Sequence, residues 1–160
     1  MDFIEKLPSS DGFDKILVFI DLLTKFGHFI PLTHPFSAEL VAQKFLDQIY
    51  RLHGLPESIV TYRDKIFTSI LWKELFRLLG TQLNYSTAFH PQSYGSSERL
   101  NQCLEVYLRC MTGERPHNWS KWIALTEWWY STNFHNSLKM TLFQALYGYE
   151  PPPLTIMSFS

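Results

Sequence analysis

Positive charge is the first thing this sequence is short of: 14 Lys and Arg stand against 15 Asp and Glu, a formal net charge of −1. That balance supplies no global basic field, so nucleic-acid binding would have to rest on local groups such as Lys73, Arg77, Arg99 and Arg109. Cysteine is scarce too. Cys103 and Cys110 are the only two, seven apart in a helical stretch, which excludes a disulfide framework and gives no zinc spacing. Buried thiols in a reducing compartment are the expectation. No window approaches the roughly 18 uninterrupted apolar residues that a membrane-spanning helix needs. The opening MDFIEKLPSS carries acids and Pro8 where a secretory leader would carry a basic and then an apolar run. The six histidines, at 28, 34, 53, 90, 117 and 135, include no pair at the sequence spacing of a zinc site.

What is present is apolar and aromatic: 46% hydrophobic and 16% aromatic residues in 160, too rich for disorder and enough for one domain with a real core. The core is expected to fill residues 1–150, with 151–160 as a tail beyond the Pro151-Pro152-Pro153 run. A short strand around Asp2 ends at the turn cluster Pro8 to Gly12. The β-branched run Lys15 to Ile20 and the segment Phe26 to Leu32 follow it as a hairpin, giving three antiparallel strands.

Ser37 caps a helix whose apolar residues Leu40, Val41, Phe45, Ile49 and Leu52 recur at helical steps until Gly54. Glu57 to Thr61 reads as a strand, Ser69 to Leu79 as a helix C-capped by Gly80, and Gln82 to Tyr85 as another strand. Three more helices follow: Ser96 to Met111, with Leu100, Cys103, Leu104, Tyr107 and Leu108 inward, then Asn118 to Asn133, then Thr141 to Tyr147. Strands followed by alternating helices and strands define an α/β class. The tryptophans Trp119, Trp122, Trp128 and Trp129 suit a core or subunit interface better than base stacking, and Lys121 and Lys139 suit solvated surface.

Chemistry rests on carboxylates. Phosphoryl transfer on nucleic acid uses two divalent metals held by acids from separate elements, at strand ends and helix starts. Asp2 lies in the first strand, and Glu98 opens a helix behind the small-residue stretch STAFHPQSYGSSERLN, Ser86 to Asn101. Taken singly, each also fits an ordinary solvated acid.

The segments MDFIEKLP, DLLTKFGHFIPL, RLHGLPESIVTYRDKIF, WKELFRLLGTQLNYSTAFHPQSYGSSERLNQCLEVYLRC, WSKWIALTEWWYSTNFHNSL and FQALYGYEPP, in collinear order, resemble the integrase catalytic core of gypsy-type long-terminal-repeat retrotransposons, kin to retroviral integrases. The resemblance implies a ribonuclease-H-like fold, a mixed five-stranded sheet flanked by helices. It also implies DNA integration by 3′-end processing and strand transfer, with two Mg²⁺ or Mn²⁺ ions held by two aspartates and a glutamate. Carried over by position, these are Asp2, the residue after Ile59-Val60-Thr61, and Glu98. The middle position is Tyr62, a phenol with an ordinary pKa near 10 where a carboxylate is expected. The implied enzyme is therefore impaired, and a catalytically dead nucleic-acid-binding or multimerisation domain is the alternative.

Asp64 is the nearest substitute acid, but it matches a loop acid that is not a ligand. Tyr94 is a second departure, in the loop before the glutamate. His90 suits either a loop-orienting hydrogen bond or a contact to DNA phosphate, and Gln92, Ser93, Ser97, Arg99 and Asn101 suit either contacts to the DNA backbone or plain surface. The resemblance also implies a homo-oligomer and a nuclear or otherwise cytoplasmic location, and no membrane or small-molecule cofactor is expected. Met1 stands one residue ahead of Asp2, so a shortened and poorly pinned first strand is expected.

Overall fold

The computed structural model describes residues 1–61, 64–85 and 91–153, with the side chains of 91–98 outside the description. Five main strands are present, joined as three and two. Strand β1 (Asp2–Ile4) pairs antiparallel with β2 (Lys15–Ile20), which pairs antiparallel with β3 (Gly27–Leu32). Asp2 stands opposite Val18, and Leu17 opposite Ile30. Strands β4 (Ser58–Thr61) and β5 (Gln82–Tyr85) form a separate parallel pair, Ile59 opposite Leu83. The expected single five-stranded ladder is therefore interrupted between β1 and β4. Among the described residues, Met1 N donates across this gap to the Val60 carbonyl at 2.7 Å.

The apolar run of β2 is explained by burial on both faces. Alternate side chains point to opposite sides of a strand. Leu17 and Phe19 therefore join one cluster with Val41, Phe45, Trp72 and Phe76, while Ile16 and Val18 join a second with Ile4, Leu100, Leu104 and Trp119.

The first cluster is roofed by α1 (Ala38–Phe45) and α3 (Ile70–Leu79). Both start as the sequence dictates, Ser37 Oγ accepting from Leu40 N and Ser69 Oγ from Trp72 N. Gly80, at φ 72°, ends α3 in the left-handed conformation that glycine adopts without a Cβ penalty. Beyond Phe45 the chain takes a π-helical turn, Leu46–Tyr50, before the short α2 (Arg51–His53). That turn breaks the 3.6-residue phase, and Leu52, expected inward, is 53% exposed.

The second cluster is covered by α4 (Pro91–Thr112) and a 3₁₀ segment, Pro116–Trp122, leading into α5 (Ile123–Thr132). Helix α4 begins at Pro91, so the loop expected through Tyr94 and Gly95 is helical. Its buried stripe is Leu100, Leu104 and Leu108, at four-residue steps. Cys103 and Cys110 fall beside that stripe and are exposed, which corrects the expectation of buried thiols. The tryptophans pack within the protein: Trp119 is buried and donates Nε1–H to Pro8 O at 2.6 Å, and Trp129 stacks on Tyr107. A two-residue hairpin, β6 (Phe134–His135) with β7 (Met140–Thr141), precedes α6 (Leu142–Tyr147), whose N-cap Thr141 forms a capping box with Gln144.

Candidate active site

Asp2 sits at the head of β1, where the sheet is interrupted. Its Oδ1 accepts from the Phe3 amide at 2.8 Å and its Oδ2 from Asn101 Nδ2 at 3.2 Å. Burial raises the Asp2 pKa above the ordinary carboxylate value, against the opposing pull of these two hydrogen bonds and of the Met1 amine. An acid held in a partly buried place at that cost is what functional carboxylates show.

Asn101, a candidate DNA contact by sequence, donates its amide to Asp2, leaving Asn101 Oδ1 buried with no hydrogen-bond partner. The signal for this was present: Asn101 stands three residues after Glu98, on the same side of one helix. Glu98 itself is helical in α4, with its side chain outside the described residues, as are those of Gln92, Ser93, Tyr94 and Ser97. Tyr62 and His90 lie outside the described residues altogether. Arg99 is exposed on α4. Asp64 caps its own turn, its Oδ1 accepting from Ile66 N at 2.8 Å. Among the described residues no three His, Cys, Asp or Glu come together as a metal-binding group.

A cleft of about 650 Å³ opens beside Asp2, with Asp21, His28, His53 and Thr61 also in its wall. Here the structure joins two histidines that sequence spacing kept apart. His28 Nε2 and His53 Nε2 are 2.8 Å from each other, and His28 Nδ1 is 3.0 Å from Glu127 Oε1.

One group around this cleft gives stability a pH slope. Burial, together with His28, lowers the His53 pKa below the ordinary imidazole value. The unfolded chain therefore binds more protons in that range, and this contribution to stability rises with pH through it. Urea unfolding is expected to show greater stability at pH 7 than at pH 5, and His53→Ala should flatten that slope.

No family model matches the sequence. The chain is 34% identical over 162 residues to the Transposon Tf2-3 and Tf2-4 polyproteins of Schizosaccharomyces pombe (strain 972 / ATCC 24843), an alignment covering all of this chain and 12% of each polyprotein. In fold it is similar to the simian T-cell lymphotropic virus intasome solved with PP2A regulatory subunit B56 gamma, with a TM-score of 0.76, 17% identity, and 95% of this chain and 55% of that chain covered. The HTLV-2 integrase catalytic core domain in complex with magnesium, in its trimeric form, gives a TM-score of 0.71 and 17% identity, covering 89% of this chain and 92% of that one.

The fold is thus the α/β, ribonuclease-H-like fold of retroviral integrase catalytic cores. By sequence the chain is similar to these retrotransposon polyproteins and spans about an eighth of their length. A divalent metal accompanies this fold in the HTLV-2 core. No helix among the described residues is long and apolar enough to cross a membrane.

Proposed function

We propose that this chain is the catalytic core of a retrotransposon integrase whose 3′-end processing and strand-transfer chemistry is impaired at Tyr62. The observation that carries the reading is the Asn101 Nδ2 to Asp2 Oδ2 bond. It ties the strand bearing one candidate ligand to the helix bearing the other, with Glu98 one turn before Asn101.

Mg²⁺ and Mn²⁺ take hard oxygen donors. Asp2, Glu98 and the orphaned Asn101 Oδ1 are of that kind, but position 62 contributes a neutral phenol where a third carboxylate would stand. The set is one anion short of the implied two-ion site and does not complete it. Asp64 offers no replacement, because its carboxylate already caps the turn.

The DNA-facing surface in this reading is the start of α4 and the segment before it, with His90, Gln92, Ser93, Ser97 and Arg99 meeting phosphate and Asn101 reassigned to hold Asp2. DNA would be met in the nucleus, and by a homo-oligomer. Arg99→Ala is expected to weaken duplex binding uniformly across sequences and to reduce the slope of log affinity against log salt by about 1. Fluorescence anisotropy at several salt concentrations reads both effects.

The reading is tested by 3′-end processing and strand transfer on a labelled duplex with Mn²⁺, comparing the native chain with Tyr62→Asp. Product from the variant alone supports an integrase core silenced at one ligand. Product from neither, with DNA binding retained, favours the non-catalytic binding domain instead.

A further inference from the structure

We propose that His28 and His53 form a second metal site, separate from the carboxylates, for a nitrogen-preferring divalent cation of the Zn²⁺, Ni²⁺ or Cu²⁺ class. The two Nε2 atoms face each other at 2.8 Å. Behind His28, Glu127 Oε1 lies 3.0 Å from Nδ1 while Glu127 Oε2 accepts from the Phe29 amide at 2.9 Å. The carboxylate is thus anchored to β3 backbone. It holds the His28 proton on Nδ1 and leaves the Nε2 lone pair directed at His53. A carboxylate that orients a histidine through its second nitrogen is the outer-shell arrangement of metal-ligating imidazoles.

Without metal, His53 donates Nε2–H to that lone pair. With metal, the ion replaces the shared proton and His53 carries its own proton on Nδ1. Tetrahedral Zn²⁺ with Zn–N near 2.0–2.1 Å needs the two nitrogens about 3.3 Å apart, so the rings must separate by roughly half an ångström. His53 can supply that movement: it is exposed, at the end of the three-residue α2, next to Gly54 at φ 75°. Positions not taken by the two imidazoles are left to water, on the cleft side.

His28 belongs to β3, held by α5 through Glu127, whereas His53 belongs to the segment that runs through Pro56 into β4. A bound ion would cross-link β3 to that segment.

The test is calorimetric titration of the whole chain with Zn²⁺ and with Ni²⁺ at pH 7.5, in a Cys103→Ser/Cys110→Ser background so that the exposed thiols do not compete. One ion per chain at micromolar midpoint is expected, with a raised thermal midpoint, lost in His53→Ala and in His28→Ala. Glu127→Gln should weaken binding about 10–100-fold. His117→Ala and Asp2→Asn should bind as the background chain does, which separates this site from surface histidines and from the carboxylate site. The proposal is overturned if the background chain shows no binding, or if His53→Ala binds Zn²⁺ with unchanged affinity.

Discussion

Trp72→Ala is expected to cost about 3–5 kcal/mol. Trp72 is fully buried. It stacks on Phe76 at 4.9 Å and meets Phe45 and Phe67 edge-on, so truncation opens a void lined by aromatic faces that cannot collapse to fill it. Phe67 in turn stacks on Phe3 of β1 at 5.0 Å. The cluster therefore joins α3 to the strand that carries Asp2, and its loss should loosen the site as well as the core. Trp72→Phe should cost much less. It leaves a smaller void and removes an indole N–H that has no hydrogen-bond partner, a group that is expensive to bury unpaired. Urea unfolding of the three chains side by side measures the difference.

The second large effect concerns position 62. On the proposed function a carboxylate at position 62 would supply the missing anion, and Tyr62→Asp is expected to bind Mn²⁺ at least ~10-fold more tightly than the native chain, about 1.4 kcal/mol. Adding Asp2→Asn to Tyr62→Asp should return affinity to the native level or below. Strand transfer should follow the same order with a wider span, since misplacement of reacting groups by about 1 Å can cost about 10²-fold in rate. Mn²⁺ titration followed by loss of the free-ion paramagnetic resonance signal reads the affinities directly.

Local chemistry was legible in the sequence. Ser37 caps a helix where expected, Gly80 stops α3, and β5 begins and ends as read. These features depend on side chains acting within a few residues of themselves. The α/β class was legible for a related reason, because β2 can bury both faces only between helix layers.

The π-helical turn after Phe45 was not legible. Its residues, Leu46-Asp47-Gln48-Ile49-Tyr50, fit an ordinary helix equally well, and tertiary packing decides the phase. Nor was the exposure of the two cysteines. The stripe of α4 is set by which side faces Ile4 and Val18, and Leu100, Leu104 and Leu108 win that side on area.

At the candidate site, Asp2 and Glu98 were visible only through likeness to a family pattern, since a single acid on a strand or helix start has many ordinary uses. The contacts that give the site its character are long-range. Asn101 reaches Asp2 across 99 residues, His28 reaches His53 across 25 and Glu127 across 99. No periodicity reports pairings of that kind.

The central claim is that Asp2, position 62 and Glu98 converge on one metal site that Tyr62 leaves incomplete. Anomalous diffraction from Mn²⁺-soaked crystals of the Tyr62→Asp variant tests it most directly. The account predicts a peak within about 2.5 Å of carboxylate oxygens of Asp2, Glu98 and the substituted residue, absent or much weaker in crystals of the native chain. A peak of equal height on the native chain, or one held by Asp64 in place of position 62, would contradict it.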